Sequence, residues 1–238
     1  MLVDPSLVAP CRHGIWCRGA LGVAGPGVAS PRRRVSRPDD PAVRNPAAPG
    51  RAYDRPLCAA ILPAPPGSGK STLCAALVNR GWRLLSDELT LIRLDTGEIM
   101  GLARPVNLKN ASIDIIRAYA PDAFLTQPVR DTTKGTVALM APTRASVEAV
   151  GEWADPAWMV LPRYRAGTDA VLTPMGSGAA FMQLADNAMN YHVLGPKGFD
   201  TVGRVIDNCR NYSFEYSRLD DAIAVFDRLA AGAGGDAP

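Results

Sequence analysis

The chain has 238 residues, of which 47% are hydrophobic, and a formal net charge of +3, which is room for one substantial domain with a tail. The charge is uneven: residues 1–56 hold nine Arg against four Asp, so the remainder is net −2 and its charge gives no reason to expect a nucleic-acid partner. No run approaches the roughly 18 apolar residues of a membrane-spanning helix.

From Met1 to about Pro56 the composition is Pro, Arg, Ala and Gly without apolar periodicity, and Pro31-Arg-Arg-Arg-Val-Ser-Arg-Pro38 is its most charged piece. Such a segment buries too little apolar surface to offset its ordering entropy, so a disordered extension is expected. A basic tail touching acidic partners and a misassigned start are the other readings. The apolar stretch Gly19 to Ala29 is interrupted by Gly and Pro, unlike a signal peptide. The five cysteines, Cys11, Cys17, Cys58, Cys74 and Cys209, are odd in number and lack a Cys-x-x-Cys pair. They fit neither a disulfide framework nor a zinc site, even with His13 near Cys11, and point to a reducing, cytoplasmic setting.

Order is expected from Leu57 to about residue 230, followed by a flexible tail over 231–238. Leu57-Cys-Ala-Ala-Ile-Leu62 reads as a buried strand and Ser71 to Arg80 as a helix stopped by Gly81. Trp82 to Ser86 and Leu89 to Leu94 read as strands, and Asp95-Thr-Gly97 turns into Glu98 to Leu102 as a hairpin. Asn110 or Ser112 is expected to cap a helix carrying Ile113 and Ile116, ended by Pro121. Strands follow at Val137 to Met140, Trp158 to Leu161 and Ala170 to Thr173. Helices are expected over Ala179 to Val193, with Phe181, Leu184, Ala188 and His192 on one face, and over Gly198 to Cys209, with Phe199, Val202 and Ile206. On that face His192 reads as a packed core residue. Tyr212 to Tyr216 alternates as a strand, and Ser217-Arg-Leu-Asp220 is a capping box for a final helix. The order of elements is α/β with an embedded hairpin region.

Between the first strand and helix lies Ala64-Pro65-Pro66-Gly67-Ser68-Gly69-Lys70-Ser71, a G-x-x-x-x-G-K-[ST] pattern with Ala64 for the first Gly. Glycines let successive backbone N–H groups curl around a phosphate while the helix adds its positive end. The motif predicts that Pro65, Pro66, Gly67, Ser68, Gly69, Lys70, Ser71 and Thr72 hold ATP. Lys70 would reach the β- and γ-phosphates, Thr72 the α-phosphate, and the Ser71 hydroxyl Mg²⁺. Asp87 and Glu88 follow the second strand, which is expected beside the first. They are the candidate carboxylates for holding the metal and accepting a proton.

The pieces Leu62-Pro-Ala-Pro-Pro-Gly-Ser-Gly-Lys-Ser-Thr-Leu73 and Gly81-Trp-Arg-Leu-Leu-Ser-Asp-Glu-Leu89 resemble the catalytic domain of HPr kinase/phosphorylase. They are more similar still to the HPr-kinase-related kinases found beside exosortase systems. Arg104-Pro-Val-Asn-Leu-Lys-Asn110, Thr132-Thr-Lys-Gly-Thr-Val137, Pro162-Arg-Tyr164 and Leu184-Ala-Asp-Asn-Ala-Met-Asn-Tyr191 extend the resemblance over roughly residues 57 to 230. It implies a P-loop NTPase-like fold akin to phosphoenolpyruvate carboxykinase, a mixed sheet with flanking helices. It also implies an ATP-dependent kinase acting on a Ser or Thr hydroxyl of a protein, with Mg²⁺, in a homo-oligomer. Asp87 and Glu88 then share the roles of proton acceptor and metal contact, Arg104 lies near the phosphates, and Lys134 sits in a loop able to close on them. One departure stands out. The His-bearing strand that such kinases carry before the P-loop strand is replaced by Arg51-Ala-Tyr-Asp-Arg-Pro56, so a sheet without that edge strand is expected. Two other readings remain open: an ATP-binding switch or scaffold without transfer activity, and a small-molecule kinase with Arg163 and Arg165 as its lid.

Overall fold

The computed structural model describes residues 57–232 in full and residues 14–18 and 22–29 as backbone strands. Its centre is the run Leu57–Ile61 (β3), apolar at every position because both faces of the strand are covered. Cys58, Ala60 and Leu62 enter one core, and Ala59 and Ile61 enter the other. Beside β3, in parallel, lies the twelve-residue strand Trp153–Tyr164 (β10), with Ala154 opposite Leu57 and Met159 opposite Ile61. On its other side β10 pairs antiparallel with Ile99–Met100 (β6) near its start and parallel with Arg210–Tyr216 (β12) from Trp158 onward. Leu89–Arg93 (β5) extends the sheet beyond β6, and Val171–Pro174 (β11) extends it beyond β12. Among the described residues the architecture is therefore mixed α/β, a nine-stranded mixed sheet with flanking helices.

Two strands of that sheet come from the Pro- and Arg-rich segment, for which no ordered element was expected. Gly14–Arg18 (β1) pairs antiparallel with β5, and Gly22–Ala29 (β2) pairs antiparallel with β3. β2 also pairs with Arg83–Ser86 (β4), so β2 stands between β3 and β4 where the sequence predicted direct neighbours. The remaining residues of the segment, including Pro31 to Pro38 and Arg51 to Pro56, lie outside the described residues, as do Cys11, His13 and residues 233–238.

One face of the sheet is covered by Lys70–Val78 (α1) and Leu219–Gly232 (α7), which bury Leu73, Leu77, Ile223 and Phe226 with Trp82, Trp158 and Phe214. The same core takes in a small antiparallel sheet, Val106–Lys109 (β7), Gly135–Met140 (β9) and Val129–Thr132 (β8), together with Ala111–Tyr119 (α2). The other face is covered by Ser177–Asn187 (α4) and Pro196–Asn208 (α6), through Ala180, Leu184, Val202, Val205 and Ile206. A short helix, Arg144–Glu148 (α3), precedes β10, and its Ser146 hydroxyl accepts from the Leu84 N–H.

Several local expectations change. The helix predicted over Ala179 to Val193 is broken at Ala188, and Tyr191–Leu194 (α5) starts anew. The Asn187 side chain bonds back to the Gln183 carbonyl, and Ala188 takes an extended conformation. The break rotates His192 to the exposed side, so His192 is not the packed core residue it was read as. In α6 the inward stripe runs through Gly198, Thr201, Val202, Val205 and Ile206, while Phe199 is 58% exposed. Gly198 turns inward because a Cβ there would meet the Tyr191 carbonyl at 2.9 Å, and a missing side chain leaves no mark in a hydrophobic pattern. Asn110 stands at the N-cap of α2, but its Oδ1 accepts from the Thr136 N–H and its φ is +50°, so it does not cap the helix.

Trp82 locks α7 to the sheet: its ring meets Phe226 edge-on at 5.8 Å and its Nε1–H donates to Asp227 at 2.9 Å. Packing should outweigh that hydrogen bond, because the Trp82 ring is fully buried while Asp227 is exposed. In urea unfolding, Trp82→Ala is expected to cost about 3–5 kcal/mol, and Trp82→Phe about 1 kcal/mol.

Candidate functional site

Both β3 and β4 run antiparallel to β2, so their C-terminal ends meet at one edge of the sheet. Gly22 lies opposite Ile61 on one side and Ser86 on the other. The residues that follow those two positions are the Gly-rich loop and Asp87-Glu88. The sequence reading had the wrong neighbour but the right edge, because inserting one antiparallel strand keeps β3 and β4 parallel.

The loop leaves β3 through buried Ala64 and exposed Pro65, Pro66 and Gly67. It is tied down from outside: the Tyr164 N–H donates to the Ser68 carbonyl at 3.0 Å, and the Tyr216 hydroxyl donates to the Gly69 carbonyl at 3.1 Å. In a trans peptide the N–H points opposite to the C=O, so the N–H groups of Gly69 and Lys70 are turned away from the two tyrosines. Gly69 has φ +86°, and a Cβ there would lie 2.7 Å from the Tyr216 hydroxyl, so both backbone conformation and space demand glycine. Burial pushes the Tyr216 hydroxyl far above its ordinary pKa, which keeps it a neutral donor.

Helix α1 opens with no acidic residue in its first turn and no side-chain cap, leaving its N-terminal N–H groups for another acceptor. Lys70 folds across the loop, its Nζ 3.4 Å from the Ala64 carbonyl. Burial lowers its pKa, and the nearby Asp87 opposes that shift. N–H groups, a helix N-terminus and an ammonium within one turn of chain suit an anion. The Ser68 hydroxyl is buried in the loop without a hydrogen-bond partner, a further donor of the same kind. Ser71 and Thr72 are half-exposed on the first turn of α1.

Asp87 is 4% exposed. Its Oδ2 accepts from the Asn107 N–H at 3.0 Å, and its Oδ1 is buried without a hydrogen-bond partner. Burial raises its pKa above the ordinary carboxylate value, and the Asn107 N–H, the Ser71 side chain and Lys70 pull the other way. Glu88 is exposed at the mouth of a cavity of about 150 Å³ that Asp87, Arg104 and Asn107 also line. The Ser71 side chain beside Asp87, with Glu88 next along the chain, offers a hydroxyl and two carboxylates, the oxygen types that suit a hard divalent cation. No group of three or more His, Cys, Asp or Glu side chains forms a metal cluster among the described residues.

Of the predicted site residues, the fold brings Lys70, Ser71, Asp87, Glu88 and Arg104 to this edge. Lys134 stands exposed at the β8–β9 turn, held by its N–H to the Thr132 hydroxyl, and does not line that cavity. Arg163 and Arg165, the predicted lid pair, lie 3.9 and 3.5 Å from Glu215. Four contributors were missed: Tyr164, Tyr216, Asn107 and Lys109, the last close enough to Lys70 to lower its pKa further. For the latter two the signal was the alternation Val-Asn-Leu-Lys, which turns Val106 and Leu108 inward and Asn107 and Lys109 to the other face.

No candidate membrane span is present among the described residues. Compared with family models, with curated proteins and with solved structures, the chain matches none.

Because burial holds the folded-state pKa of Asp87 above its unfolded value, the folded chain loses stability as pH rises through that raised pKa. Asp87→Asn should therefore melt higher than the parent at neutral pH, by on the order of 1 kcal/mol, or about 2–4 °C. The difference should close in acid, where Asp87 is protonated in both states. Thermal melts of the two proteins from pH 3 to 8 check it.

Proposed function

We propose that this chain is an ATP-dependent kinase that transfers the γ-phosphoryl group to a Ser or Thr hydroxyl of a protein, with a P-loop fold of the HPr kinase type. The observation that carries the reading is the meeting at one sheet edge of the Gly-rich loop with its lysine and a buried, half-satisfied carboxylate. The resemblance of the sequence to HPr-kinase-related kinases points the same way. An anion cradle alone supports phosphate binding, whereas a carboxylate beside it supports a metal-assisted transfer.

In this reading the loop N–H groups of Gly69 and Lys70 and the N-terminus of α1 hold the phosphates, and Lys70 neutralises charge developing between the β- and γ-phosphates. Mg²⁺, when bound, would supply charge neutralisation for the phosphates. Ser71 and Asp87 would hold it. The two acids divide the work by burial: Asp87 is enclosed and keeps one unpartnered oxygen, and Glu88 is exposed, where a protein hydroxyl can reach. Glu88 accepts the hydroxyl proton as that oxygen attacks the γ-phosphorus in line and the bond to the bridging oxygen breaks. Arg104 at the cavity rim stabilises the transferring group.

A second reading, an ATP-binding switch or scaffold without transfer activity, is favoured by one observation. Arg51-Ala-Tyr-Asp-Arg-Pro56, just before the P-loop strand, holds no His where the HPr kinases that this chain resembles carry one. A small-molecule kinase is less favoured, because Arg163 and Arg165 are engaged with Glu215.

Calorimetric titration should find ATP binding with Mg²⁺ present, and Lys70→Ala should remove it, a loss of at least roughly 10²-fold. Unchanged affinity in Lys70→Ala would sink the nucleotide site. With labelled ATP and a panel of candidate acceptor proteins, transfer should occur, vanish in Asp87→Asn, and fall in Glu88→Gln by roughly 10²-fold in kcat with ATP binding intact. Binding without Asp87-dependent transfer selects the switch, and ATP consumption with metabolites but no protein acceptor selects the small-molecule kinase.

A further inference from the structure

We infer that the side-chain oxygen of Asn107 is a ligand of the divalent cation held by Asp87 and Ser71, so that β7 forms a second wall of the site. The inference rests on the cation reading given under the proposed function and adds a residue that neither the loop motif nor the acidic pair contains.

Asn107 touches Asp87 through its backbone, whose N–H donates to Oδ2 at 3.0 Å. Its side chain is therefore free of that task. It lies on the face of β7 opposite Val106 and Leu108, cross-strand from Leu139, and Asn107 and Leu139 line the same cavity as Asp87. The Oδ1 atom of Asn107 is buried without a hydrogen-bond partner, and so is the Oδ1 atom of Asp87.

Two buried acceptor oxygens without donors, on residues joined by that backbone hydrogen bond, are an unfavourable arrangement, since each unsatisfied buried group costs about 1–3 kcal/mol. A divalent cation removes both penalties at once, and carboxylate, amide carbonyl and hydroxyl oxygens are the ligand types that Mg²⁺ and Mn²⁺ take. A purely structural role does not account for the side chain, because the contact that anchors Asp87 is made by the main chain and survives any substitution except proline. Two residues along on the same face, Lys109 adds a positive charge near Lys70. One face of β7 thus brings an amide beside Asp87 and an ammonium beside Lys70.

The test uses the full chain and Mn²⁺ as the probe, with binding read by electron paramagnetic resonance with and without a non-hydrolysable ATP analogue. Asn107→Ala should weaken Mn²⁺ binding roughly 10- to 100-fold. Asn107→Asp should bind Mn²⁺ at least as tightly as the parent. Its melting temperature, lowered in chelator by the added charge, should rise on adding Mn²⁺ by more than that of the parent. Parent-like Mn²⁺ affinity in Asn107→Ala, alongside its loss in Asp87→Asn, overturns the inference and leaves the cation reading standing. If the parent binds neither Mn²⁺ nor the analogue, both fall. Should Asn107→Ala fail to fold by circular dichroism, Asn107→Asp decides alone, and loss of Mn²⁺ binding there overturns the inference.

Discussion

The parallel pairing of β3 with β10 is the constraint on which the rest of the molecule depends. β3 ends at Ile61 opposite Met159, and β10 runs on for five more residues to Tyr164. That overhang carries the Tyr164 N–H to the Ser68 carbonyl and, by pairing β12 alongside, the Tyr216 hydroxyl to the Gly69 carbonyl. The conformation of the Gly-rich loop is thus fixed by strand register together with the loop's own glycines at positive φ. Parallel strands of this kind need cover on both faces, and α1 with α7 on one side and α4 with α6 on the other supply it.

The second constraint is electrostatic. Burying Asp87 with only one of its oxygens hydrogen-bonded works against stability, and the fold concedes it at the place where a cation and phosphates would offset it. Lys70 is the mirror case, an ammonium whose pKa is lowered by burial and raised by Asp87. The exposed ion pairs elsewhere, such as Arg144 with Glu148, lie in water and contribute a few tenths of a kcal/mol. The charges that matter are the few that are taken out of solvent.

Much of the fold was legible because it follows from local chemistry. The apolar run Leu57 to Leu62, the glycine stop after α1, the β5–β6 hairpin turn at Gly97 and the final strand and helix are each written in a few adjacent residues. What escaped was set by distant partners. β2 reads as Gly, Val, Ala and Pro without alternation, and it becomes a strand because the edges of β3 and β4 stand ready to pair with it. β8 is exposed and polar, so no hydrophobic period marks it. The inward side of α6 is marked by Gly198, which a hydrophobic pattern cannot register, and Phe199 was taken in its place.

The candidate site divides along the same line. By itself the sequence determined a glycine-rich loop with its lysine at residues 64–71 and two acids after β4, since both reside in contiguous residues with a strand before them. Only the tertiary structure decided which acid is buried, because Asp87 and Glu88 are adjacent and alternate in direction, and their surroundings come from β7 and the loop at Arg104. It also decided that Tyr164, Tyr216, Asn107 and Lys109 stand at the site, from positions 20 to 147 residues away from the residues they serve. Contacts at such separations are selected by the packing of the whole sheet, which no short stretch of sequence records.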